Sequence, residues 1–131
     1  MAPCLPLFAV PHVRWYSLQV GDRACDLARL APSAAVDLSS RLTDFAETAA
    51  AIANLDLVIS TDTAVAHLAG AMGKPVWILL MFAADWRWLR GRDDSPWYPS
   101  ARLFRQRSPG DWAGVIERVK TELARSTEGF A

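Results

Sequence analysis

The sequence predicts an α/β fold, a parallel sheet covered by helices on both faces, and three observations carry that reading. First, "DLVIS" at 56–60 and "PVWILL" at 75–80 are apolar without alternation, the pattern of strands buried on both sides. Second, the stretches before and between them repeat apolar residues at three- and four-residue steps, the helical period. Third, 131 residues that are 52% hydrophobic suit one domain, residues 1–131, with a real core.

The elements follow in chain order. "VRWYSLQV" at 13–20 is rich in β-branched and aromatic types and stops at Gly21-Asp22, which predicts a strand and its turn. A short helix is expected over Arg23–Leu30, ending before Pro32, and then a brief strand in "AAVDL" at 34–38. In "LTDFAETAAAIANL", Leu42, Phe45, Ala46, Ala49, Ala50, Ile52 and Ala53 mark a helix with Thr43 as N-cap and with Asp44 and Glu47 in its positive first turn. The strand Asp56–Ser60, a helix over Thr63–Met72 closed by Gly73, and the strand Pro75–Leu80 come next. Met81 to about Pro99 reads as irregular, and "ARLFRQ" at 101–106 as the last strand. Asp111–Arg125 is an amphipathic helix with Val115, Ile116, Val119 and Leu123 on one side, and residues 126–131 read as a frayed tail.

Composition removes several function classes. Lys+Arg and Asp+Glu are both 14, and a formal charge of zero argues against a strongly electrostatic partner such as duplex nucleic acid. Cys4 and Cys25 match no metal spacing and make no disulfide framework, which suits idle thiols in a reducing compartment. No apolar run approaches the ~20 residues of a membrane helix. The opening "MAPCLPLFAVPHVRW" lacks a basic n-region and is cut by Pro3, Pro6 and Pro11, so a signal peptide is a poor fit and a cytoplasmic location is expected.

The chemistry concentrates at one strand end. Ligands of open parallel sheets collect beyond the carboxyl ends of the strands, and Ser60-Thr61-Asp62-Thr63 lies there, ahead of a helix. Free amides and the helix dipole make such a point a natural anion site. At ~100° per residue, Thr63, His67, Gly70 and Lys74 share one stripe of that helix, while Val65, Leu68, Ala69 and Met72 share the opposite, buried one. Two readings fit. In one, a hydroxyl, an imidazole and open amides converge on a ligand. In the other, Asp62 caps the helix, a role worth ~1 kcal/mol that needs no ligand, and His67 bonds a neighbouring group.

Other signals fail or are weaker. "GAMGKP" resembles a phosphate loop only at Gly73-Lys74 and ends a helix where such a loop starts one. Neither a Gly-x-Gly-x-x-Gly fingerprint nor a Gly-x-Ser-x-Gly elbow occurs. From Asp85 to Arg107 six arginines face three aspartates, with Trp86, Trp88 and Trp97 among them. Such a segment suits cation–π contacts or single-stranded nucleic acid. The same residues also suit a loop pinned to a sheet edge, tryptophans inward and arginines paired with Asp93 and Asp94. The zero net charge favours that account and makes nucleic acid an improbable partner.

"LDLVISTDTAVAHLAGAMGKPVWILL", continued by "FAADWRWLRGRDDSPWYPSARLFRQ", resembles the C-terminal half of glycosyltransferase family 9, in the branch often fused to tetratricopeptide repeats, with heptosyltransferases as relatives. The resemblance runs from about Val13 to Leu123 and implies a GT-B architecture, two Rossmann-like domains facing a cleft, with this one binding the nucleotide-sugar donor, ADP- or UDP-linked. It implies that Asp62, Thr63 and Ala64 contact the donor's phosphate and sugar with His67 beside them, and that Gln19 (in Leu18-Gln19) and Thr43 (in Arg41–Asp44) border the nucleoside. Neither metal nor cofactor is implied, and no residue of this chain is assigned as catalytic.

The departures from the family pattern set further expectations. The family's domain opens with a strand and a polar loop ahead of the helix matching "APCLPLFAV", whereas this chain starts inside that helix, and Met81 stands where proline is usual. A parallel sheet missing a central strand leaves two unpaired edges, to be closed by another chain or by rearrangement of the sheet. The expected function is a donor-binding domain without transfer activity of its own. The alternative is a non-enzymatic interaction or self-association module that keeps the fold.

Overall fold

Residues 2–30 and 33–128 are described by a computed structural model. The strand Val76–Leu80 (β4) forms the centre of the larger sheet, and its composition explains why: Val76, Ile78, Leu79 and Leu80 are all buried. Val58–Thr61 (β3) and Ala101–Arg105 (β5) flank it in parallel, in the order β3-β4-β5. The register sets Val58 beside Val76 and Ile78 beside Leu103, so apolar side chains meet in these layers. The helices Phe45–Ala53 (α2) and Ala64–Ala71 (α3) precede and follow β3 and pack on one another.

The end of α3 shows how local chemistry sets direction. Gly73 takes the left-handed conformation, φ 69°. Its amide donates to the Gly70 carbonyl and the Lys74 amide to that of Ala69, each at 3.0 Å, a Schellman closure. Pro75 then leads straight into β4. The Lys74 ammonium donates to the Ala53 carbonyl at 2.9 Å, placing a cation on the last turn of α2.

These elements make up one compact unit, Phe45–Asp111; the other comprises Met1–Asp44 with Trp112–Ala131. In the latter, Tyr16–Ser17 (β1) and Val36–Asp37 (β2) pair in parallel as a separate two-stranded sheet. Cys25–Leu30 (α1) lies between them, and Trp112–Thr127 (α4) packs against the Ala2–Ala9 segment. Val115, Ile116, Val119 and Leu123 are the buried stripe of α4, as their spacing predicted.

The fold is thus α/β, with parallel sheets flanked by helices, but the strands among the described residues divide into two sheets where one was expected. The strands expected over 13–20 and 34–38 each shrink to two residues, because a two-stranded ribbon with Val36 40% exposed buries too little to hold a longer ladder. The Ala2–Ala9 segment is a 3-10 helix rather than an α-helix, since Pro6 inside it lacks the amide that an α ladder requires there. A 3-10 turn over Gly21–Arg23 replaces the first part of the expected Arg23–Leu30 helix, and Pro32 lies outside the described residues. The helix α2 begins at Phe45, so Asp44 stands next to it and not Thr43, the expected N-cap, and of the two expected acidic residues only Glu47 lies in its first turn. Ser126 and Thr127 are helical, their hydroxyls donating to the Glu122 and Ala124 carbonyls, whereas residues 129–131 lie outside the described part. Of the larger sheet's edges, β3 has no strand beyond it among the described residues. On β5, the Leu103 amide donates to the Asp93 carbonyl at 2.7 Å and Asp94 bridges Arg102.

Candidate functional site

The carboxyl ends of β3, β4 and β5 deliver three segments to one edge of the sheet: Asp62-Thr63 after β3, Met81–Asp85 after β4, and Arg105-Gln106 closing β5. Gln106, buried, ties two of the loops together, its side-chain carbonyl accepting from the amides of Phe82 and Gly110 at 3.1 Å each.

Thr63 is the N-cap of α3, with an extended backbone (φ −139°, ψ 171°), yet no side chain caps the helix. Its hydroxyl pairs with that of Ser60 at 3.0 Å. Asp62, the better cap by type, is turned elsewhere: its Oδ2 accepts the indole N–H of Trp88 at 2.8 Å, and its Oδ1 the Nε2 of His67 at 3.1 Å. The capping account of Asp62 is therefore overturned, because a wholly buried indole needs an acceptor and competes for the carboxylate. The first amides of α3 keep their positive end toward a surface on which Thr61, Asp62, Thr63 and Ala64 are all exposed.

His67 is half-buried and occupied on both ring nitrogens. A carboxylate only accepts, so Nε2 carries the hydrogen that goes to Asp62, and in the neutral ring Nδ1 accepts the hydroxyl hydrogen of Tyr98 at 2.9 Å. The ring stacks on Trp88 (centroids 5.4 Å, 25°) and meets Tyr98 edge-on at 5.7 Å. The Arg87 guanidinium lies 3.5 Å from Nε2 and pairs with Asp85 at 3.0 Å. So arranged, the imidazole orients Asp62. Each oxygen of Asp62 still has a lone pair for a guest.

The stripe of α3 that carries His67 is partly covered: Gly70 is buried under the Tyr98 ring, whereas Thr63 stays exposed. On the stripe expected to be buried, Ala69 is buried, Val65 and Leu68 are partly covered and Met72 is exposed. The cover is the Trp/Arg segment, which sequence reasoning treated apart from the motif. Trp88 goes fully inward, but Trp86 (74% exposed) and Trp97 (58%) do not, so the expectation of inward tryptophans holds only for Trp88. Arg92 grips Asp94 through two hydrogen bonds, 2.6 and 2.8 Å, and that bonding holds the Asp94 carboxyl below the usual carboxylate range. Tyr98 and Trp88 are the residues that spacing missed; a glycine on the His67 stripe, leaving room for a ring, was their one trace in the sequence.

Asp62, Thr63, Ala64 and His67 come together in the unit Phe45–Asp111, whereas Gln19 and Thr43 belong to the other unit. There the Gln19 amide donates to the Ser17 hydroxyl at 3.3 Å, and Thr43 is exposed in the loop before α2. Among the described residues no group of His, Cys, Asp and Glu is placed to hold a metal ion.

An α/β unit with an uncapped helix at a strand end defines the class, a fold suited to binding anions at its sheet edge. The comparisons give the particulars. Residues 20–84, close to half of the chain, match glycosyltransferase family 9 (heptosyltransferase). That match takes in Thr43 and Asp62–His67 but neither Gln19 nor the Trp86–Tyr98 loop. The chain is also similar to the protein FlbA of Caulobacter vibrioides, 35% identical over 126 residues, covering 90% of this chain and 20% of FlbA. It thus spans about a fifth of the length of that relative. No solved structure matches. The family match supports a stretch of the glycosyltransferase family 9 type within residues 20–84.

Proposed function

We propose that this chain is the donor-binding part of a glycosyltransferase of the tetratricopeptide-linked branch, with GT-B architecture in its full-length relatives. It binds an ADP- or UDP-linked sugar and does not transfer the sugar alone. The observation that carries the reading is the division of labour at α3: Asp62 is bound to Trp88 and His67, which leaves the helix amides to an anion. The amides from Ala64 onward take a donor phosphate, with the Ser60–Thr63 hydroxyl pair beside them. Asp62 accepts sugar hydroxyls on its spare lone pairs, since a carboxylate repels phosphate. His67 is a positioning residue, and Gln19 and Thr43 border the nucleoside on the strength of the resemblance. A cytoplasmic location belongs to this proposal, supported by the free thiols of Cys4 and Cys25. No helix among the described residues is long and apolar enough to cross a membrane.

Calorimetric titration with ADP- and UDP-sugars tests the reading. Asp62→Asn keeps an acceptor for the Trp88 indole, so the fold survives while affinity falls about tenfold or more, as expected when hydrogen bonds to a charged group are weakened. Unchanged affinity in that variant, or no binding by the native chain, contradicts it. The unpaired edge of β3 favours a second reading, self-association through added strand pairing. Light scattering decides between them: a tight dimer without nucleotide affinity selects the second.

A further inference from the structure

We infer a second ligand site, for a phosphorylated ring, in the cleft between the ends of β4 and β5. The cleft measures about 380 Å³, with walls that include Phe82, Asp85, Trp86, Leu89, Arg90 and Arg105. That volume falls in the range of small-molecule sites, about 300–1,000 Å³.

Its charged groups are not equivalent. Asp85 is used by its own turn, accepting from the Arg87 amide at 3.1 Å and pairing with the Arg87 guanidinium. Arg105 is also used, donating to the carbonyls of Leu89 at 2.7 Å and Trp88 at 3.3 Å. Arg90 makes no hydrogen bond or ion pair with any described residue. The one charge left to a guest is therefore positive, on a planar fork that matches phosphate.

The backbone is a second, independent observation. Leu89 has φ 53° and ψ −167°, close to a region that is essentially glycine's alone. Arg105 fixes its carbonyl on one side, and the wholly buried Trp88 precedes it on the other. Non-glycine residues held in such conformations concentrate at ligand clamps. Phe82 and Trp86 meanwhile keep half or more of their surface in water, two ring faces that the core does not use. A ring with an apolar face, aryl or pyranose, lies against them, and its phosphate meets Arg90. The inference does not depend on the nucleotide-sugar reading, since the cleft shares no lining residue with Asp62, Thr63, Ala64 or His67.

Titration of the full ¹⁵N-labelled chain with phenyl phosphate, glucose 6-phosphate and inorganic phosphate, read at the Trp86 indole N–H, is the test. We expect a saturable shift with one or both ring phosphates, the responding probe naming the ring type. Arg90→Ala, at an exposed and unpartnered position, weakens that binding about tenfold, the size of one charge-assisted hydrogen bond. No saturable shift with either ring phosphate, an equal response to inorganic phosphate, or undiminished binding in Arg90→Ala each overturns the site.

Discussion

Replacing Gly70 with alanine probes the packing that holds His67. A Cβ at Gly70 would stand 2.5 Å from Cγ of Tyr98 and 2.8 Å from both Cδ atoms, closer than real Cβ atoms come to other groups. The ring has little freedom to retreat, because its hydroxyl is on His67 at 2.9 Å and its amide on the Ser95 hydroxyl at 3.4 Å. Overpacking costs about 1–3 kcal/mol and the displaced hydrogen bond about 1, against a helix-propensity gain of up to about 1, so the net loss is about 2 kcal/mol. In a Tyr98→Ala background the obstacle is gone, and Gly70→Ala then shows only its propensity gain, up to about 1 kcal/mol of stabilisation. Urea unfolding of the four proteins of this double-mutant cycle gives a coupling of about 3 kcal/mol. If Gly70→Ala changes stability alike in both backgrounds, Tyr98 does not sit where we place it.

Two further outcomes follow. Gln106→Leu orphans the amides of Phe82 and Gly110 and costs about 2 kcal/mol in urea unfolding, whereas Gln106→Glu, which keeps an acceptor, costs less; equal losses would remove the loop-tying role. Burial pushes the Cys4 thiol up, and Cys25 is exposed, so Ellman's reagent modifies Cys25 first and Cys4 speeds up only at a higher pH. Equal labelling rates at neutral pH contradict this.

The elements around the site were legible where sequence and burial agree locally. β3 and β4 fall within two residues of the apolar runs, because strands covered on both faces have little polar pattern to blur them, and β5 ends one residue short of the expected 101–106 strand. Gly73 and Pro75 marked the end of α3 for the same local reason. The site's inner network was not legible, because its members are far apart in the chain: Tyr98 lies 31 residues from His67, and Trp88 26 from Asp62. A helical wheel names two stripes but does not say which one a distant loop will cover, and here the loop covers Gly70. In the N-terminal part, prolines and short pairings gave periodicity little to act on, and strand lengths were overestimated.

The central claim is that bare amides at the start of α3 receive the donor's phosphate, and Ala64→Pro measures it most directly. Proline suits the first position of a helix, and Thr63 already has the extended backbone that must precede it, so the fold is retained while one N–H disappears. The account predicts an unchanged melting temperature and affinity for the ADP- or UDP-sugar lowered about tenfold, the size of one charge-assisted hydrogen bond. Full affinity in a folded Ala64→Pro protein would contradict it.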